Sequence, residues 1–462
     1  MKSTYKNWLN SFVILTITAI LTTSCSFEEE TDPNGPSLEG LETDANLKQL
    51  NEIMIGLQST VREGLGVETI TTGVLARELY LFDADPRNTG DLLGKNGITL
   101  DNNSYYSVTP FTGNYQSIKN VSVVLNALEN TQAIEESQKN AYRGFANTFK
   151  AYELIQILKS YGRARIDTED FDNLGPFLEF DEALAEIRQL LEEAQNDLSS
   201  YGDLDQFLFP VFGCNDLIDR SEETDDNSRE NKNEITINEF IQFNRAVASV
   251  AALYAGDGDA TLNALENSYF DLDASLDLGT KHIFSQNSGD LANPVFRAPS
   301  TESRPNNGDQ IIVNDDWIED AETGDSRVAE KTKLRPNPSV QDGLTGAYES
   351  SLYASNVASI DIIRNEELIL VYAEANILTG DLEEAEDALN VIRNAANLPD
   401  YDGESSTEAL TAEMLKQRRY SLWSENHRMF DLRRYNLSET LPAERDGDRV
   451  YNILPIPLAE NL

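Results

Sequence analysis

The sequence predicts a mainly α protein in which about four tetratricopeptide-like helix pairs form a scaffold, joined by an irregular loop-rich region and few short strands. Three observations predict it. Apolar residues recur at helical spacing through most of the chain, as in Leu184, Ile187, Leu191, Ala194 and Leu198, which share one helix face. Glycine–aspartate pairs at Gly256-Asp257 and Gly380-Asp381 interrupt two such stretches; glycine ends a helix by taking φ > 0 and aspartate can cap the next one. Between residues 270 and 360 the stripes give way to Asp, Ser, Asn, Pro and Gly. One helix pair buries little by itself, whereas several stacked pairs make a continuous core.

In chain order, a first helix is predicted over 44–63, with Leu47, Leu50, Met54, Leu57 and Val61 on one face. A second apolar segment spans 67–83, and residues 84–117 read as an irregular excursion with a short strand near Tyr105–Val108. Helices follow over 118–129, 138–161, 181–200 and 238–255, the third and fourth separated by a polar insertion at 213–234. The region 270–360 reads as loops with a short strand at Gln310–Val313. Leu368, Tyr372 and Ala375 then mark one helix, and Leu382, Ala385, Leu389 and Ile392 mark its partner. A last helix carries Leu415, Leu422 and Phe430 among arginines 418, 419, 428, 433 and 434. Those arginines are expected to pair with Glu366, Glu367, Glu425 and Asp431, because a planar guanidinium satisfies several acceptors at once. Trp423 and His427 on the same stretch are expected to be structural.

The N-terminus predicts export. Lys2 and Lys6 precede an apolar run over 8–21 that is too short to span a bilayer stably, the pattern of a signal peptide over 1–24. Residues 25–40 combine acids with Pro33, Gly35, Pro36 and Gly40, the composition of a flexible tether. Residues 41–462 are then expected to form a single domain, with the loop-rich insertion inside it.

Composition removes several functions. The formal charge is −44 over 462 residues, which opposes binding to nucleic acid or to an anionic bilayer. With two cysteines and two histidines in the whole chain, disulfide frameworks and zinc clusters are excluded. Asp271, Asp273 and Ser275 begin like a calcium loop, but Leu276 stands where the turn needs glycine and His282 where it needs glutamate. No phosphate-cradling glycine loop is present, and among 80 acidic residues no carboxylate pair stands out as catalytic. The expectation is a protein without catalytic residues, metal or cofactor.

Several segments carry a family resemblance. Leu21-Thr22-Thr23-Ser24-Cys25 resembles a lipobox, which implies acylation of Cys25, and the acidic run Ser26–Glu30 resembles a surface-export signal of Bacteroidetes lipoproteins. Lys150-Ala151-Tyr152 through Tyr161-Gly162, Arg364–Leu368, Ala373-Glu374-Ala375, Gln417–Tyr420 with Arg428–Arg434, and Leu454-Pro455-Ile456-Pro457 are together similar to the SusD/RagB family of outer-membrane nutrient-binding lipoproteins. The resemblance implies a lipid-anchored, surface-exposed protein of the outer membrane. It would capture an oligosaccharide or polysaccharide and deliver it to a SusC-like TonB-dependent transporter. Capture of peptides or other nutrients by the same architecture, or a secreted carboxylate-dependent glycoside hydrolase, are the competing readings.

A neutral glycan needs aromatic faces for the apolar side of its rings and planar polar groups for its hydroxyls, usually on loops held by a rigid scaffold. Two regions meet that description. One is 83–106, offering Asp83, Arg87, Asn88, Tyr105 and Tyr106; the other is 284–317, offering Phe296, Arg297 and Trp317. The family resemblance supports loops of these two kinds without assigning individual residues.

Overall fold

The computed structural model describes residues 44–85, 87–170, 173–201, 205–214, 217, 235–305 and 308–461. The signal peptide, Cys25, the tether and most of the polar insertion lie outside these residues.

Helix α1 (Leu47–Thr60) starts at a reciprocal cap in which Asn46 and Gln49 each satisfy the other's backbone amide. It is followed by α2 (Leu65–Leu75) and strand β1 (Leu79–Phe82), so the second apolar segment is half helix and half strand. Helix α3 runs from Tyr105 to Asn130. The strand expected near Tyr105–Val108 is therefore the first turn of a helix. Ser104 accepts the amide of Ser107 and caps it, and this local bond outweighs the strand preference of aromatic and β-branched residues. Helices α4 (Glu136–Tyr161), α5 (Phe180–Ser199), α6 (Ile237–Tyr254) and α7 (Gly258–Glu266) pack successively on one another. All five residues of the α5 stripe are buried, against a cluster in which Phe145 stacks on Phe240 at 4.4 Å.

The C-terminal pair is α8 (Asn365–Thr379) and α9 (Leu382–Ala395). Gly380 ends α8 at φ +88, while Asp381 sits at the start of α9 without using its side chain as a cap. The expected single arginine-rich helix is two, α10 (Thr407–Ser421) and α11 (Arg428–Arg434), broken where Ser424 and Asn426 take positive φ. Helices α8 to α10 enclose a second, smaller apolar cluster, and Phe270 and Tyr372, stacked at 4.8 Å, touch both clusters.

The loop-rich region holds more strand than expected. An antiparallel sheet has the order β1–β3–β5–β4, where β3 is Gln310–Val313, β4 is Thr332–Gln341 and β5 is Leu344–Ser350; Gly279–His282 (β2) pairs separately with Ile360–Arg364 (β6). Two short strands, Arg163–Arg165 and Phe177–Glu179, form a further pair. Strands β4 and β5 form a hairpin whose turn, Asp342-Gly343, has φ +54 and +82, the backbone that a tight hairpin favours.

Strand β1 begins beside a buried carboxyl. Glu78 is 2 % exposed, and its Oε1 has no partner among the described residues. Burial pushes its pKa up to about 8, although Arg428 pulls the other way. A raised acid is neutral in both states at low pH; as pH rises only the unfolded chain loses the proton, so this group reduces stability across that window. Glu78→Gln should therefore raise the melting temperature, by an increment that grows between about pH 5 and pH 8. Thermal melts of both proteins across that range check it.

Candidate functional site

The pairing of β1 with β3 builds the site. Phe82 is the register partner of Gln310, so Asp83 and Asp309 leave the sheet side by side at the same end. The segment after β1 and the segment before β3 are the two regions singled out in the sequence. They meet with the start of α3 and the 284–297 segment around a cleft of ≈ 440 Å³, within the usual size for a small-molecule site of about 300–1,000 Å³.

Four of the expected ligand residues line this cleft: Asp83, Tyr105, Tyr106 and Arg297. Tyr105 is 48 % exposed and rests edge-on against the buried Tyr106, with ring centroids 5.4 Å apart. It is an aromatic face presented to the cleft and backed by a second ring. Arg87 stands beside it, its guanidinium 6.0 Å from the Tyr105 centroid and forked onto Asp85. Burial raises the pKa of Asp83, repulsion from Asp309 and Asp85 adds to that rise, and the donated Asp85 amide opposes it. Asp85 is held low by Arg87.

The other expected residues stand elsewhere. Asn88 is fully buried and donates to the Asp83 carboxylate, so it orients the acid and does not face the cleft. Phe296 is half-buried and lies off the cleft wall, where Pro294 and Arg297 stand instead. Trp317 is in the core at 0 % exposure. Asn314 caps the short helix Asp315–Glu319 and turns the indole inward, 4.9 Å from Tyr420 and 5.2 Å from Trp423, with its N–H donated to the Arg419 carbonyl. Cys214, at the start of the polar insertion, is buried too, and its thiol is pushed up to about 12 by that burial.

Sequence reasoning missed Asp85, Asp309, Glu63 and Arg62, which also line the cleft. Asp309 carried a signal, since it immediately precedes a strand the pattern had identified. Arg62 donates to the Ile283 carbonyl and pairs with Asp290 at 2.8 Å. Arg297 donates through Nη1 to the carbonyls of Pro294 and Phe296, while its buried Nε has no partner among the described residues. The cleft presents carboxylate acceptors beside an aromatic face, with Arg297 also on its wall.

A second polar cavity lies deeper, lined by Glu68, Glu153, Lys159, His282 and Glu367 among others. Burial pushes Glu153 well up and Glu367 to about 7, and lowers His282 to about 3. At ≈ 50 Å³ it has room for a water molecule or two and none for a sugar ring. These carboxyls give a glycosidase reading no reacting site.

Residues 316–453 match the SusD family. No curated protein matches the chain. Among solved structures it is similar to a SusD superfamily protein from Bacteroides vulgatus, at 15 % identity and TM-score 0.66 over 91 % of this chain and 97 % of that one. It is also similar to surface glycan-binding protein A from Bacteroides thetaiotaomicron in complex with laminarihexaose, at 13 % identity and TM-score 0.65 over 90 % and 97 %. NanU of B. fragilis matches at 16 % identity and TM-score 0.59 over 90 % and 94 %. These identities establish the fold, and the cleft residues on 62–106 and 284–309 fall outside the family match.

Trp317→Ala should cost about 3–5 kcal/mol of stability, as truncation of a buried aromatic does. Ligand affinity of the folded fraction should be unchanged, as read by chemical denaturation beside a binding titration well below the melting temperature.

Proposed function

We propose that this SusD-like chain binds a neutral glycan in the cleft between the β1 and β3 ends and delivers it, uncleaved, to a TonB-dependent transporter of the SusC type. The observation that carries the reading is Tyr105, an exposed ring at the mouth of a cleft whose other walls offer Asp83, Asp85 and Asp309. Sugar rings stack their C–H faces on such a ring. Their hydroxyls are donors, and carboxylates with open lone pairs are strong acceptors for them. The same carboxylates repel uronate or sulfate groups, which favours an uncharged chain. The solved relative that carries laminarihexaose supports a glycan as the ligand class.

Location belongs to the same proposal. Acylation of Cys25 would hold the chain at the outer membrane, with residues 25–40 as the tether and 41–462 as the binding domain. No helix among the described residues is long and apolar enough to cross a membrane; in this proposal the acyl chains on Cys25 are the anchor. The stacked helices offer a broad face to a transporter, and the proposed role asks for no covalent chemistry.

Native-gel retardation against neutral and uronate polysaccharides, followed by calorimetry, tests the reading. A neutral polysaccharide should retard the protein without being shortened, and uronates should retard it less. Tyr105→Ala should weaken binding roughly three- to tenfold, the value of one aromatic contact. Shortened glycan chains in the reaction mixture would contradict a binding role, and undiminished binding by the variant would contradict this cleft.

A further inference from the structure

A second basin lies against the first. It has a volume of ≈ 360 Å³ and is lined by Ile55, Phe212, Ile283, Phe149 and Lys281 among others. The two basins share Arg62 as a wall. Ile283 and Asp290 line the second basin, and their chain neighbours Phe284 and Leu291 line the first. One residue's thickness of a single segment is all that separates them. That ridge is well fixed: Arg62 reaches the Ile283 carbonyl and Asp290, Ser285 donates to the Asp290 carboxylate at 2.6 Å, and the Ser285 amide bonds the Leu291 carbonyl.

The second basin carries three large exposed apolar side chains among polar ones such as Gln58, Lys281 and Asp290. Phe212 is 50 %, Ile283 45 % and Ile55 40 % exposed, and all three line this basin. Phe212 is also held in place. Its amide donates to Gln58 Oε1 at 2.9 Å, Gln58 donates in turn to the Pro210 carbonyl, and the next residue, Gly213, accepts the Lys281 amide at 2.7 Å. Gly213 has φ +74, and a Cβ there would lie 1.8 Å from the Lys281 carbonyl oxygen. Only glycine lets this loop approach β2 closely enough to present the ring. A pre-positioned exposed aromatic beside a binding cleft loses little entropy when a ligand covers it.

We propose that the two basins form one extended site, in which the second takes a further stretch of the same glycan chain, stacked on Phe212 after crossing the Arg62–Asp290 ridge. The ligand is then an elongated oligosaccharide or polysaccharide, not a mono- or disaccharide. This inference rests on glycan binding in the Tyr105 cleft and adds a subsite to it.

The test uses the purified protein and a size-fractionated acid hydrolysate of whichever neutral polysaccharide retards it in native gels. Affinity measured by calorimetry should rise with chain length until both basins are bridged. Phe212→Ala should weaken the longest fraction roughly three- to tenfold and leave the shortest binding fraction unchanged, whereas Tyr105→Ala should weaken both. Ile55→Ser, a surface change on α1, should repeat the Phe212 pattern more mildly and serves if Phe212→Ala lowers the melting temperature. Equal losses for short and long fractions, or none for either basin-two variant, would overturn the extended site while leaving the Tyr105 cleft intact. Self-association that these variants abolish, with glycan affinity unaltered, would assign the patch to a second copy and overturn it as well. Retardation by no polysaccharide would overturn both readings.

Discussion

The structure depends on a set of buried arginines that must not be left unpaired. Arg418 is 1 % exposed and bonds Asp431 at 2.8 Å; Arg434 bonds the same carboxylate at 2.9 Å and also pairs with Glu374 on α8. Arg364, at the end of β6, grips Glu366, Glu425 and the Ser421 carbonyl. Burial alone would raise Asp431, yet the two guanidinium groups overcome it and hold the acid below its ordinary value. Removing one member of such a set strands a buried charge, at a cost of about 3–5 kcal/mol. Strand β6 and helices α8, α10 and α11 are thereby joined through their charges as well as their apolar faces. His427 sits within this mesh, 3.8 Å from Glu367, and is kept neutral by burial and by the surrounding cations.

The mesh fixes the site at one remove. Trp423 donates to the Glu78 carbonyl and Trp317 packs at a tilt against Trp423, so the C-terminal segment grips the entry to β1 and the exit from β3. With that end of the strand pair held, the opposite end delivers Asp83 and Asp309 together. A cleft built on strand ends keeps its geometry better than one built between two free loops. The functional side chains are placed by the sheet, and the sheet is placed by the arginine helices.

The helices were legible in the sequence because a buried helix must repeat its apolar residues at the helical period, and Leu184 through Leu198 do so without interruption. The β4–β5 hairpin was not, although Asp342-Gly343 is a strong turn signal. Pro336 and Pro338 interrupt the run that precedes it, and the pairing register shifts between Leu334 and Ser339 to accommodate them. At the candidate site, charge and aromatic content pointed to the two segments that meet at the cleft, but exposure could not be read. Tyr105 and Trp317 are both aromatics in polar surroundings. Tyr105 stands one residue after its serine cap and is exposed, whereas Trp317 stands three residues after its asparagine cap, on the helix face that meets the core. Asn88 was picked for its polarity, and that polarity is spent on Asp83.

The most direct test of the account is a crystal structure of the protein with a bound neutral oligosaccharide. A pyranose ring should stack on Tyr105, with hydroxyls donated to Asp83 or Asp309 and the chain leading toward Arg62. A sugar bound elsewhere, for example in the groove between α5 and α7 around Arg188 and Asn263, with Tyr105 bare, would contradict it.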